Sequence, residues 1–131
     1  MSGKFTPSQV VARYIELGAK AITGTMNVDP VDGRWKIYRR GDEAPKCCAL
    51  GVMMEGQKVV KYGDRIGEVK RHLDVDYLSF YTGFDGLSVE RYVHNDEWVQ
   101  ADYELGVACR KAVDEAKLWN EEVESYYDDD L

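Results

Sequence analysis

Apolar residues recur at helical spacing from the start of the chain. Val10, Val11, Tyr14, Ile15, Gly18, Ala21 and Ile22 share one side, with Arg13, Glu16 and Lys20 opposite. Thr6, Pro7 and Gln9 supply an N-cap, a first-turn proline and the third-position partner of a capping box, so a helix is expected from there to Gly24. The period then falls to two. Trp35 and Ile37 alternate with Lys36, Tyr38 and Arg40, the pattern of a half-buried strand. Asp29-Pro30 and Asp32-Gly33 are turn dipeptides between this strand and the apolar run Met26 to Val28, so the strand is expected to be the second arm of a hairpin. Lys46 to Met54 is apolar all round between Pro45 and Gly56, and its Ala, Leu and Met content favours a short buried helix. Asp64 is a candidate cap for a third helix with Ile66, Val69 and Leu73 as its stripe. Residues 74–87 mix Gly83 and Gly86 with aromatics and read as a loop, with an extended piece at Tyr77 to Tyr81 as the variant. The clearest stripe comes last: Leu105, Cys109, Ala112, Ala116, Trp119 and Val123 predict a helix starting near Glu97. No internal repeat interrupts this order. The expected fold is α+β, a helix-dominated single domain over residues 1–120 with one small β-hairpin or sheet, followed by an acidic tail at 121–131.

At 131 residues and 44% apolar content the chain has material for one core. No run approaches the roughly 18 apolar residues of a membrane helix, and the polar N-terminus lacks a secretory pattern. The net charge of −7 changes the picture once it is divided along the chain. Residues 34–72 hold ten basic and five acidic groups, whereas residues 73–131 hold four basic and sixteen acidic. Six of those acids, Glu121, Glu122, Glu124, Asp128, Asp129 and Asp130, fall in the last eleven residues. The molecule is bipolar. Phosphate repulsion from the acidic part argues against nucleic acid as a partner, and the basic middle suits an anionic patch on a protein. Cys47, Cys48 and Cys109 are odd in number and lack zinc spacing, which fits free thiols and a cytoplasmic location.

Two constellations bear on chemistry. Cys48 opens the expected buried helix, where free N–H groups and the helix dipole stabilise a thiolate, and His94, Asn95 and Asp96 supply the residue types of a base and its orienter. Adjacent side chains seldom form one relay, and the plainer reading makes Cys48 core and Asn95 or Asp96 the cap of the last helix. Asp74, Asp76 and Asp85 bracket a glycine-containing loop but fail EF-hand spacing, and the only histidines are His72 and His94, so no metal or other cofactor is expected. Phosphate-loop, dinucleotide and GxSxG patterns are absent. Tyr77, Phe80, Tyr81, Phe84 and Tyr92 are dense enough to form a binding surface if exposed, or a satellite core if buried.

The Cys48-Ala49-Leu50-Gly51 segment and the Asn95-Asp96 pair, set between an N-terminal amphipathic helix and a C-terminal one, resemble a family of small bacterial and bacteriophage proteins. The likeness covers about residues 6–118. This chain departs from the family in carrying His94 where an aromatic precedes the pair, and in lacking Gly-Trp near Thr25-Met26-Asn27. The resemblance implies a phage or mobile-element context but transfers no activity. The expected function is therefore binding of a protein partner, as a phage-encoded modulator or inhibitor of a host or defence factor. A cysteine-dependent hydrolase or transferase using Cys48 and His94, and a small-ligand sequestering domain, are the alternatives. Internal packing of the last helix is the default, and the sequence does not specify an oligomeric state.

Overall fold

A computed structural model describes residues 4–24 and 26–120. The expected tail at 121–131, with Val123 in it, lies outside the described residues. The fold is helix-dominated α+β. Helix α1 spans Pro7–Leu17 and opens with the capping box: Thr6 Oγ1 accepts from Gln9 N–H (3.2 Å) and Gln9 Oε1 from Thr6 N–H (2.8 Å). It ends at Gly18 rather than Gly24, because Gly18 takes the left-handed conformation (φ 64°) and, with Ala19, returns hydrogen bonds to Ile15 and Tyr14. The chain is then free to enter strand β1, Lys20–Ala21.

Strands β2 (Val28–Val31) and β3 (Arg34–Ile37) form the expected hairpin, with Asp32 and Gly33 both at positive φ in a two-residue turn. Trp35 and Ile37 point into the core. The outer edge of β3 is covered by residues 56–59: Trp35 N–H donates to Gln57 O, and Gly56 N–H to Trp35 O. Strand β4 (Lys46–Cys47) pairs in parallel with β1 and leads into α2, Ala49–Met54. This helix is buried on nearly every side, which explains its uninterrupted apolar sequence. A side chain at Gly51 would strike the Met26 carbonyl, so glycine is required where the hairpin lead passes over α2. From α1, Arg13 donates to the Val52 and Glu55 carbonyls (3.1 and 2.7 Å), satisfying the C-terminal end of α2.

Helix α3, Arg65–Leu73, is capped by Asp64 as the sequence predicts, but its buried face differs from the expected stripe. Val69 and Leu73 are buried; Ile66 is 62% exposed, and the carboxylate of Glu68 occupies the interior. The turn of the helix follows Glu68 toward its hydrogen-bond donors and leaves Ile66 at the rim.

The segment expected to be a loop is helix α4, Tyr77–Asp85. Asp76 caps it, accepting from Ser79 N–H and Oγ, and Gly86 ends it in the left-handed region. Helix α5, Gln100–Glu115, starts three residues later than expected and is entered through Val99, not capped by Asn95 or Asp96. Its buried line is Asp102, Gly106, Cys109 and Val113, whereas Ala116 lies past its end and is exposed. Helices α4 and α5 cross where Gly83 and Gly106 face the opposing backbone: a Cβ at Gly83 would collide with Tyr103 O, and one at Gly106 with Phe80 O. After α5 the chain bridges to β1, with Ala21 N–H donating to Leu118 O and Asn120 N–H to Ala21 O.

Candidate functional site

Cys48 stands at the N-cap of α2, where amides of Leu50 and Gly51 point at its sulfur and lower its pKa. Burial outweighs them. Cys48 is 2% exposed, and desolvation pushes its thiol up to about 12, far from a thiolate at neutral pH. Cys47 and Cys109 are likewise buried, unpaired and raised by desolvation. His94, Asn95 and Asp96 lie exposed in the turn before α5, where Asn95 Oδ1 accepts from Glu97 N–H (2.8 Å). Asp85, at the end of α4, pushes the Cys48 thiol further up by its charge.

The three aspartates near α4 serve separate ends. Asp74 pairs with Lys70 (2.9 Å), Asp76 caps α4, and Asp85 accepts from Gly24 N–H (2.9 Å). Burial raises the Asp85 pKa against the lowering influence of Gly24, the Tyr81 hydroxyl and Arg110. Among the described residues, no group of three or more His, Cys, Asp or Glu side chains is placed to hold a metal.

The five aromatics divide. Phe80 and Phe84 are core, stacked on each other and flanked by Phe5 and Trp119. Tyr77 and Tyr81 stack at 5.8 Å with their rings half-buried, and Tyr92 is also half-buried. Of the five, Tyr77 reaches an open site: a groove of about 450 Å³ lined by Pro30, Trp35, Gly63, Asp64, Arg65, Ile66 and Tyr77.

The hairpin supplies one wall of this groove, the start of α3 another, and the first residue of α4 the third. Arg65 lies over the Trp35 ring (5.4 Å) and pairs with Asp29 (3.1 Å), which ties α3 to the hairpin. Beneath, Glu68 collects Trp35 Nε1–H and Val60 N–H (both 2.9 Å), Lys61 N–H (3.3 Å) and Arg71. Burial alone would raise its pKa, but these donors prevail and hold the carboxyl below its ordinary value. Trp35 is thus anchored by a satisfied buried charge, while Ile66, also lining the groove, stays exposed; in the connection before α3, Val60 (58%) and Tyr62 (63%) are exposed as well. The sequence reading missed these exposed groups, since Ile66 fits a core stripe and Val60 and Tyr62 sit outside any periodic segment. Three apolar residues, Val59, Val60 and Tyr62, in a connection (positions 58–64) with no helical or strand period are the signal that was there to find; of them only Val59 is buried.

No family model, curated protein or solved structure matches this chain. Among the described residues, no helix is long and apolar enough to cross a membrane.

Proposed function

We propose that the protein acts by binding another protein, through the groove between the hairpin and α3. The observation that carries this reading is an open groove in which Trp35 is anchored from beneath by Glu68 while Ile66 lies exposed along it, with exposed Val60 and Tyr62 in the connection that leads into it. Side chains presented on a pre-ordered surface lose little entropy on docking, and aromatic and aliphatic anchors around a cleft supply most interface energy. The resemblance to bacterial and phage proteins makes host proteins of a bacterium the pool to search, with the protein in the cytoplasm, in keeping with three unpaired thiols. Nucleic acid is not the proposed partner.

The test compares wild type with Ile66→Asp as immobilised baits in bacterial lysate, after equal melting temperatures show both are folded. A specific partner retained by wild type and lost on the variant is expected. Equal retention of every captured protein by the two baits would refute the groove. The hydrolase alternative is weakened by the burial of Cys48 and is tested separately with iodoacetamide. Cys48 is expected to stay unmodified at pH 8 until the protein is denatured, and rapid alkylation of the folded protein would restore that alternative.

A further inference from the structure

The groove lies at the start of α3, and a cavity of about 240 Å³ opens at the other end of that helix. Phe5, Met53 and Leu73 form its apolar wall, and Lys4, Gln9, Gln57 and His72 its polar one. Among the described residues no carboxylate lines it, although the chain holds 24 acidic side chains against 17 of Lys and Arg. The groove, by contrast, includes Asp64. Much of the polar wall is unspent. His72 Nε2 is buried without a hydrogen-bond partner, 3.7 Å from Glu68 Oε1, and that carboxylate already accepts from Trp35, Val60, Lys61 and Arg71. Gln9 uses Oε1 to accept from Thr6 N–H, which leaves its amide nitrogen over, and the Gln57 side chain makes no hydrogen bond among the described residues. Lys4 pairs with Asp102 (2.8 Å), a carboxylate that also accepts from Asp76 N–H (2.8 Å), and an ammonium has three hydrogens to give. Apart from the Gln57 carbonyl, the bonding capacity left over is that of donors.

We propose that this cavity binds a small organic anion, a carboxylate carried on a short apolar chain. Lys4, His72 and the two glutamine amides receive the carboxylate, which is acceptor-only when ionised and so matches a wall of donors. The apolar chain lies against Phe5 and Leu73, which are buried, and Met53, which is half-buried and supplies a flexible thioether. No lining acid repels the entering charge. The volume, about 240 Å³, falls below the roughly 300 Å³ at which sites for drug-sized ligands begin, so a chain of a few carbons is the fit. None of these residues lines the groove between the hairpin and α3, and the site stands independently of the partner proposed there.

The test titrates the full isotope-labelled chain with sodium valerate and, separately, with its neutral amide, following backbone amide signals and the Met53 methyl. Valerate should shift Gln9, Met53, Gln57, His72 and Leu73 along one saturable curve with a Kd of about 1 mM or below, and the neutral amide should bind at least about tenfold more weakly. His72→Phe keeps a ring in place and removes both nitrogens. It should weaken valerate binding about tenfold and leave binding of the neutral amide unchanged, a split that loss of packing alone would not produce. Gln57→Leu should show the same split, and it carries the test if His72→Phe disturbs the amide pattern of the folded chain. Equal affinity of the wild type for valerate and its amide would overturn the anion. Shifts that never saturate, or that centre on Ile66 and Tyr77, would overturn the site, as would variants that bind valerate as tightly as wild type.

Discussion

The α4–α5 crossing and the hairpin–α3 groove show opposite uses of small and apolar residues. At the crossing, Gly83 and Gly106 remove side chains so that two backbones meet, and Phe80 and Phe84 close the remaining space. In the groove Trp35 is buried but Ile66 stays outside, and a buried carboxylate takes the interior position an aliphatic would normally fill. The crossing is held by shape and the groove floor by hydrogen bonds. A cleft supported from below by polar contacts can leave its rim apolar and open, whereas a close-packed crossing has no surface to offer.

The largest effect separating the two regions is expected from Glu68→Ala, which strands the indole N–H of Trp35 and the amides of Val60 and Lys61. The loss should be about 3–5 kcal/mol, measured by urea unfolding. Because the Glu68 pKa is lowered by folding, its contribution is complete above the unfolded value near pH 4.3 and is lost as pH falls through the lower folded value. The variant should therefore show a flatter acid limb than wild type. An unchanged acid limb would mean that the floor of the groove does not depend on this charge.

Gly106→Ala comes next. The added methyl collides with Phe80 O, and overpacking of this kind costs about 1–3 kcal/mol, partly offset by better helix propensity. A thermal melt that shows stabilisation would mean that the helices separate at little cost.

A smaller, opposite pH effect is expected at Asp85, whose pKa folding raises. Its contribution is full below the unfolded value near pH 3.9 and is lost as pH rises through the raised value. Asp85→Asn, which still accepts from Gly24, should therefore gain stability over wild type at pH 7 and lose that advantage near pH 3. Parallel stability curves for the two proteins would contradict this assignment. The smallest effect belongs to Ile66→Asp, which should change stability by less than about 0.5 kcal/mol because the side chain is exposed. A large loss on denaturation would show that Ile66 is packed, and the groove would lose its rim.

Local chemistry accounts for what was legible in the sequence. The capping box at Thr6 and Gln9, the Asp32-Gly33 turn, the alternation at Trp35 and Ile37 and the cap at Asp64 each act over a few residues, and the α+β class follows from them. Only tertiary structure decided the rest. Residues 77–85 look like a loop because aromatics and glycine are weak helix formers, yet Gly83 is favourable once Tyr103 and Gly106 stand opposite. Ile66 satisfies a helical stripe by spacing, but the donors gathered around Glu68, drawn from the hairpin and from residues 60 and 61, set the rotation of α3 and turn Ile66 outward. Cys48 occupies the helix start that activates a thiol, and burial reverses the effect. Periodicity and caps report what a residue contributes to its own turn of chain; which face is buried depends on partners far along the sequence, and that choice made Phe80 core and Ile66 surface.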